Sequence, residues 1–231
     1  MYKVLDLFSG IGGFSLGLER TGGFKTIAFC EIDPYCRKVL KKHWPDVICY
    51  HDIRKFTSEK FLSVHFAPEV ICGGFPCQDI SVAGKGAGIK GEKSGLWSEF
   101  ARIIGEFRPR FVIVENVSAL LSNGMGVLLG DLAALGYDAV WDCIPASAIG
   151  APHRRDRVWI VAYAKGGRIS RFKSSGGRPW GLGSCNWWAS EPSVDRVAHG
   201  VPRRVDRLRA LGNAVVPQIP ELIGRAILAL N

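Results

Sequence analysis

The sequence lacks the features that mark membrane-spanning, secreted and zinc-binding proteins. No run approaches 18 consecutive apolar residues, which excludes a membrane-spanning helix. Met1 leads almost directly into the strand-like run that ends at Phe8, without the charged start and apolar stretch of a signal peptide, so we expect a cytoplasmic protein. There is no C-x-x-C pair, and the seven cysteines are odd in number and spread through apolar segments. This usage indicates reduced thiols and predicts no metal site.

The distribution of charge is more informative than the net charge of +9. Residues 165–210 hold ten Lys/Arg against three Asp/Glu, whereas the rest of the chain holds 20 against 18. A basic stretch of this kind is typical of a protein that contacts a phosphate backbone, and the alternative is a solvated basic loop. With 231 residues, 47% of them hydrophobic, the chain is long and apolar enough for one large domain, alone or with a small appendage.

Strand-like and helix-like segments alternate over residues 1–164, which predicts a parallel sheet with helices on both faces. Residues 165–207 break this pattern with glycines, prolines and tryptophans, so we expect a small irregular lobe there. From Ile219 to Leu230, apolar residues recur at helical spacing and predict a C-terminal helix that packs back onto the first region. The expected division is therefore 1–164, 165–207 and 208–231. Predicted strands cover 3–8, 26–30, 69–72, 111–114 and 158–162, and predicted helices 34–43, 96–107 and 127–135.

Chemically suggestive residues fall at the ends of the predicted strands, where open parallel sheets bind ligands. A glycine-rich turn follows Phe8, and Glu31 stands 19 residues after Gly12, the spacing at which a carboxylate accepts ribose hydroxyls. This favours an adenosine-containing cofactor, either NAD or S-adenosylmethionine. The turn reads F-S-G-I-G-G and not G-x-G-x-x-G, which favours S-adenosylmethionine.

A candidate nucleophile and a candidate acid follow two further strands. Cys77 lies between a proline and a glycine-dense loop, which suits a fixed but accessible nucleophile. Glu115 comes 38 residues later, the length of one crossover, so neighbouring strands would bring it beside Cys77. A carboxyl group in a dry pocket has a raised pKa and can donate a proton. The ordinary alternative for a free cysteine is a small buried hydrophobe, which we expect of Cys30, Cys36, Cys49 and Cys72.

Five ordered motifs resemble those of the DNA (cytosine-5)-methyltransferases. They are D-L-F-S-G-I-G-G-F from Asp6, G-F-P-C-Q from Gly74, E-N-V from Glu115, H-R-R-D-R from His153 and G-N-A-V from Gly212. The resemblance covers residues 3–164 and 208–230. It implies a Rossmann-like α/β sheet of the S-adenosylmethionine-dependent methyltransferases, with a small irregular target-recognition lobe.

This resemblance implies a catalytic set of Cys77, Glu115, Asn116 and Arg155. Cys77 would attack carbon 6 of a flipped-out cytosine, and Glu115 would engage the ring nitrogen and the exocyclic amine. Arg155 would contact the base or its backbone, and Arg157 would hold the site together. His153 stands where the family usually has glutamine.

The resemblance also implies S-adenosylmethionine as cofactor, with S-adenosylhomocysteine as product. The residues expected around it are Phe8, Ile11, Gly13, Glu31, Ile32, Asp52, Ile53, Pro76, Leu96, Asn213 and Val215.

Double-stranded DNA is the partner that the resemblance implies. Residues 79–95 would form a lid over the flipped base, and 165–207 would read the target in an unusually short region without the family's arginine-leucine-threonine motif. Such compact members resemble enzymes of phages. We therefore expect the protein to act in a bacterial cell or a phage-infected host. The oligomeric state, monomer or dimer, stays open. The residues expected to contact DNA are Ser81, Lys85, Arg157, Arg168, Arg171, Lys173 and Arg178.

Three alternatives remain at this stage. Relatives with the same catalytic set methylate cytosine in transfer RNA. The second alternative is a catalytically impaired DNA-binding relative, because one motif is missing. The third alternative is an NAD-dependent oxidoreductase.

Overall fold

A seven-stranded sheet with helices on both faces organises the chain in the computed structural model, which describes residues 1–76, 96–165 and 204–230. The strands are β1 (Tyr2–Leu7), β2 (Phe24–Cys30), β3 (Ile48–Tyr50), β4 (Val70–Gly73), β5 (Phe111–Val117), β6 (Tyr137–Pro145) and β7 (Asp156–Ala164). The helices are α1 (Gly13–Arg20), α2 (Pro34–His43), α3 (Ser58–Leu62), α4 (Leu96–Phe107), α5 (Leu120–Asn123), α6 (Met125–Ala134), α7 (Arg204–Asn213) and α8 (Gln218–Leu228). Two short 3-10 helices cover Ile53–Lys55 and Ala146–Ile149.

The strand order is β3-β2-β1-β4-β5-β7-β6, and the sheet is mixed, so the expectation of a wholly parallel sheet was wrong. The first five strands of this order run parallel, whereas β7 is antiparallel to both β5 and β6. Residues 146–155 alone connect β6 to β7, too few for the crossover that a parallel pair requires. The Rossmann-like class with helices on both faces is confirmed.

Two hydrophobic clusters lie on opposite faces of the sheet. Successive strand residues alternate between them, as Val4 and Leu5 do in β1, because side chains of a strand point to alternate faces. Helices α3, α4 and α6 cover one face, and α1 and α8 cover the other. The C-terminal helix therefore packs back onto the first region, as its apolar spacing predicted. No helix among the described residues has the length and apolar character needed to cross a bilayer.

The contact between α1 and α8 depends on Gly17. A Cβ atom at this position would lie 2.1 Å from the backbone oxygen of Pro217. This clash is with backbone, so a change of side-chain rotamer cannot remove it. We expect Gly17→Ala to lower the free energy of unfolding by about 1–3 kcal/mol, because the two helices must separate. Gly130→Ala is the matched control, since a Cβ there meets nothing within 4 Å and alanine favours helix by about 0.5–1 kcal/mol. Urea unfolding measures both, and equal stability of the two variants would contradict the expectation.

The predicted boundary at 207/208 falls inside α7. The division of the chain into three regions stays a prediction, because residues 166–203 lie outside the described part.

Candidate active site

The carboxyl ends of five parallel strands bring the predicted site residues to one edge of the sheet. The turn after β1, Glu31 after β2, Asp52 after β3 and the segment Gly74–Pro76 after β4 all lie there, together with Glu115 in β5. Cys77 comes directly after this segment and lies outside the described residues. So do Ser81, Lys85, Arg168, Arg171, Lys173 and Arg178, whose assignments stay predictions.

Glu115 is a buried carboxyl group beside the segment that leads to Cys77. The register that pairs Gly73 with Val114 sets Gly74 alongside Glu115, and a Cβ at Gly74 would lie 2.8 Å from Oε2 of Glu115. A side chain at this position would therefore displace the carboxyl group. Glu115 is 9% exposed, and burial raises its pKa, against the opposing effects of Arg157 and Arg155. The raised pKa that the sequence predicted is therefore present.

Arg157 is the arginine that contacts Glu115, with Nε 3.0 Å from Oε1. Strand pairing explains the contact: Glu115 is opposite Trp159, so Arg157 is its diagonal neighbour on the same face. Arg155, predicted to contact the base, instead donates from Nη1 to the carbonyl of Gly212 and from Nη2 to that of Ala214, at 2.6 and 2.7 Å. Its predicted role toward the base stays untested.

Asn116 ties β5 to the segment before Cys77. Its Nδ2 donates to the carbonyl of Phe75 at 3.2 Å, and its Oδ1 accepts from the backbone N–H of Val117 at 2.8 Å. Asn116 is 2% exposed, so each of these bonds is made away from water. The side chain fixes the backbone two residues before Cys77 and holds it against β5.

The first glycine turn and Glu31 form one hydrogen-bonded unit. The backbone N–H of Gly10 donates to Oε2 of Glu31 at 2.7 Å, and that of Asp33 donates to Oε1 at 2.7 Å. Phe8 and Gly10 adopt positive φ values of 52° and 55°, and a Cβ at Gly10 would meet nothing within 4 Å. The turn therefore leaves open space beside a fixed carboxylate, which suits an adenosine-containing ligand.

Four further predicted cofactor residues differ in their exposure and contacts. Ile32 is 63% exposed, which leaves it available to pack against a flat ring, and Ile53 is buried. Asp52 caps the first 3-10 helix and pairs with Arg54 at 2.9 Å, a contact that lowers its pKa. Leu96 begins α4 and packs against the core.

Residues from the far end of the chain reach the same turn. The backbone oxygen of Val215 would lie 2.5 Å from a Cβ at Gly13, so these two segments are in close contact. Ile11, Gly13 and Val215 also line one cavity of about 490 Å³, which Arg155 borders. Asn213 ends α7 immediately before this contact.

Arg102 is a site residue that sequence reasoning missed. Its Nη2 donates to the carbonyls of Ile53 and Phe56, each at 3.0 Å, and Glu99 and Glu106 hold its guanidinium on α4. It thus fixes the segment around Ile53, one of the residues predicted to surround the cofactor. The i, i+3 and i, i+4 carboxylates indicated an intrahelical ion pair, but nothing local indicated the two carbonyl partners.

Asp6 lies fully buried beneath the glycine turn. It accepts from the hydroxyl of Ser15 at 2.7 Å, while its Oδ1 has no partner among the described residues. Burial raises its pKa to about 8, so the folded protein holds it protonated at neutral pH.

The raised pKa of Asp6 predicts a pH-dependent loss of stability. The unfolded chain releases this proton near pH 4 and the folded chain near pH 8, so the stabilisation is complete below pH 4 and declines as pH rises to 8. We expect the free energy of unfolding of Asp6→Asn to rise relative to wild type across this window, by up to about 1.4 kcal/mol per pH unit. Urea titrations at several pH values measure the difference, with exposed Asp138→Asn as control. A difference that is constant with pH would contradict the expectation.

The described thiols of Cys30, Cys36 and Cys72 are buried and that of Cys49 is half-buried, all without disulfides, as predicted. Burial raises the pKa of Cys30 and of Cys36 to about 12 each, so neither thiol ionises readily. Within the described ranges, no group of three His, Cys, Asp or Glu side chains is arranged to hold a metal ion.

The chain belongs to the C-5 cytosine-specific DNA methylase family, whose sequence profile matches residues 2–178. It is 37% identical over 168 residues to Type II methyltransferase M2.BsuMI of Bacillus subtilis (strain 168), covering 69% of this chain and 41% of the relative. It is 36% identical over 170 residues to Type II methyltransferase M.CviJI of Paramecium bursaria Chlorella virus IL3A, covering 71% and 44%.

A similar solved structure is that of an E. coli protein described as a DNA modification methyltransferase encoded within a prophage. It superposes with a TM-score of 0.61 at 27% identity, over 71% of this chain and 47% of that one. The chain thus spans less than half the length of these relatives.

Proposed function

We propose that this chain transfers a methyl group from S-adenosylmethionine to carbon 5 of cytosine in double-stranded DNA. One observation carries the proposal: a buried carboxyl group with a raised pKa, Glu115, lies against Gly74, three residues before Cys77. Family membership supplies the chemistry that such an acid beside a cysteine performs.

The proposed reaction assigns a separate task to each group. The Cys77 thiolate adds to carbon 6 of the cytosine, and Glu115 gives its proton to the ring nitrogen, so that no negative charge accumulates on the ring. Carbon 5 thereby becomes nucleophilic. Bound S-adenosylmethionine supplies the electrophilic methyl group. A water molecule takes the proton from carbon 5, the Cys77 thiolate leaves carbon 6, and the ring nitrogen returns its proton to Glu115, which restores the aromatic ring.

The surrounding side chains fix Glu115 and the backbone that leads to Cys77. Arg157 orients the carboxyl group by its contact at 3.0 Å, and Asn116 holds the backbone at Phe75. Burial raises the pKa of Glu115 and so favours its protonated form, whereas Arg157 and Arg155 oppose the rise. Together these contacts preorganise an acid beside Gly74, three residues before the proposed nucleophile.

The hydrogen-bond acceptors next to the first turn fit the ribose of the proposed cofactor. We infer that the ribose hydroxyls bind Glu31, whose two oxygens are already fixed by backbone N–H groups and retain free lone pairs. The exposed side chain of Ile32 and the segment at Ile53 would flank the adenine.

We further propose that the basic segment 165–207 and the loop 79–95 contact the DNA, with the target base flipped out at a cost of a few kcal/mol. The concentration of positive charge in the sequence supports the first assignment. Ser81, Lys85, Arg168, Arg171, Lys173 and Arg178 remain the proposed DNA contacts, and the protein would act in the cytoplasm of a bacterial cell or phage-infected host, as monomer or dimer.

The deciding experiment incubates the protein with labelled S-adenosylmethionine and unmethylated duplex DNA, and maps modified cytosines by deamination sequencing. We expect label at carbon 5 of cytosine within a recurring motif. Label on transfer RNA and not on DNA would change the substrate, and no label on either polymer would contradict methyl transfer. Cofactor binding without any transfer would favour a catalytically impaired DNA-binding protein.

Replacing Glu31 tests the cofactor site separately. We expect Glu31→Ala to weaken binding of S-adenosylhomocysteine by about 1–3 kcal/mol, because the ribose hydroxyls lose their acceptor. Calorimetry measures the affinity, and Asp46→Ala, which removes an exposed carboxylate, is the control. An unchanged affinity of Glu31→Ala would place the ribose elsewhere.

A further inference from the structure

An ion pair joins helix α7 to the predicted cofactor site. Nη2 of Arg209 lies 2.6 Å from Oδ2 of Asp33, although the two residues are 176 positions apart in the sequence. Asp33 stands two residues after Glu31 and caps α2. The pair therefore joins the C-terminal part of the chain to the loop after β2.

The contacts of Asp33 leave Oδ2 for Arg209. Its Oδ1 accepts from the backbone N–H groups of Tyr35 and Cys36, at 2.7 and 3.2 Å, and its own backbone N–H donates to Oε1 of Glu31. Asp33 thus connects the first turn of α2 to the Glu31 carboxylate. A cation on its remaining oxygen restricts the movement of this whole loop.

The far end of α7 is held independently. Arg155 donates to the carbonyls of Gly212 and Ala214, at 2.6 and 2.7 Å. These bonds fix the C-terminal end of α7 next to the start of β7. Arg209 therefore extends toward Asp33 from an anchored helix. Because the backbone that carries Arg209 is already held in place, the ion pair restricts fewer degrees of freedom when it forms and can orient its partner.

We propose that Arg209 is a positioning residue for the cofactor: through Asp33 it fixes the Glu31 carboxylate in the orientation that binds the ribose. The inference rests on the proposed function, since it assumes that Glu31 binds the cofactor. Arg209 itself need not touch the ligand. Its effect falls on cofactor affinity and on KM for S-adenosylmethionine, and not on the rate of the methyl-transfer step.

Calorimetry with S-adenosylhomocysteine tests the proposal on Arg209→Gln, Asp33→Asn and the double variant. The Arg209 side chain is 57% exposed, so we expect a two- to fivefold rise in Kd for Arg209→Gln, the range of a partly exposed ion pair. The Kd of the double variant for S-adenosylhomocysteine should not exceed that of the single variant with the higher Kd, because both substitutions remove the same ion pair. Arg209→Lys should recover part of the affinity, and 1 M salt should reduce the difference from wild type.

Arg225→Gln is the matched control, because this arginine is 62% exposed and pairs with Glu221 on α8. It should leave the Kd unchanged. Equal Kd values for wild type and Arg209→Gln, or fully additive effects of the two single changes, would overturn the proposal while leaving the proposed function intact. A fall in kcat at unchanged KM would also overturn it. If wild type itself failed to bind S-adenosylhomocysteine, the cofactor assignment would fail together with this inference.

Discussion

Glu115→Gln is expected to slow single-turnover methyl transfer by about 10²–10⁴-fold, the usual contribution of a general acid. Glutamine keeps the size of the side chain but holds no acidic proton for the cytosine ring. The affinity for S-adenosylhomocysteine should stay within twofold, because Glu115 lies beside Gly74 and not in the glycine turn. Rapid-quench measurement with labelled S-adenosylmethionine gives the rate, and Glu59→Gln, which changes an exposed carboxyl group, is the control.

The pH dependence of the same reaction has a defined sign. Burial raises the pKa of Glu115, so the proton is retained to higher pH than in an ordinary glutamate and is lost as pH rises through the raised value. The wild-type rate should fall on that high-pH side, and Glu115→Gln should lack this decline. A variant that kept the wild-type rate and pH profile would remove Glu115 from the acid role.

Cys77→Ala is expected to abolish methyl transfer completely, because no other group in the proposed mechanism forms the bond to carbon 6. Binding of S-adenosylhomocysteine should be retained, since none of the expected cofactor residues is changed and only Pro76 among them adjoins Cys77. DNA with fluorine on carbon 5 of the target cytosine gives a second readout: no proton can leave that carbon, so wild type stays covalently attached in a denaturing gel. Cys77→Ala should form no such adduct.

The control for this variant is Cys143→Ala, which removes a half-buried thiol in β6. It should keep both transfer and adduct formation. Transfer or adduct formation by Cys77→Ala would exclude Cys77 as the nucleophile.

Local sequence signals determined the helices that position the site. Helix α2 covers Pro34–His43 and α4 covers Leu96–Phe107, the bounds that the sequence predicted. Asp33 caps α2 and Pro34 occupies its first turn, which are signals written within a few residues. The position of Glu31 after β2 was equally readable, because an apolar run ended there, whereas β5 continues two residues past Glu115, to Val117.

Strand β6 and the antiparallel direction of β7 were not readable in this way. Tyr137–Pro145 is a half-buried edge strand that carries Asp138 and Asp142, so its apolar pattern is weak. The direction of β7 depends on the short connection from β6, and that connection is recognisable only when β6 is known to be a strand.

The sequence by itself determined the α/β class, the order of the motifs and the identity of the candidate acid and nucleophile. Only the tertiary structure decided which arginine serves which partner: Arg157 pairs with Glu115, Arg155 holds the segment after α7, and Arg209 reaches Asp33. Helix caps and apolar periods arise from neighbours within a few residues. Side-chain partners depend on strand register and on contacts between segments up to 176 residues apart, which no local pattern specifies.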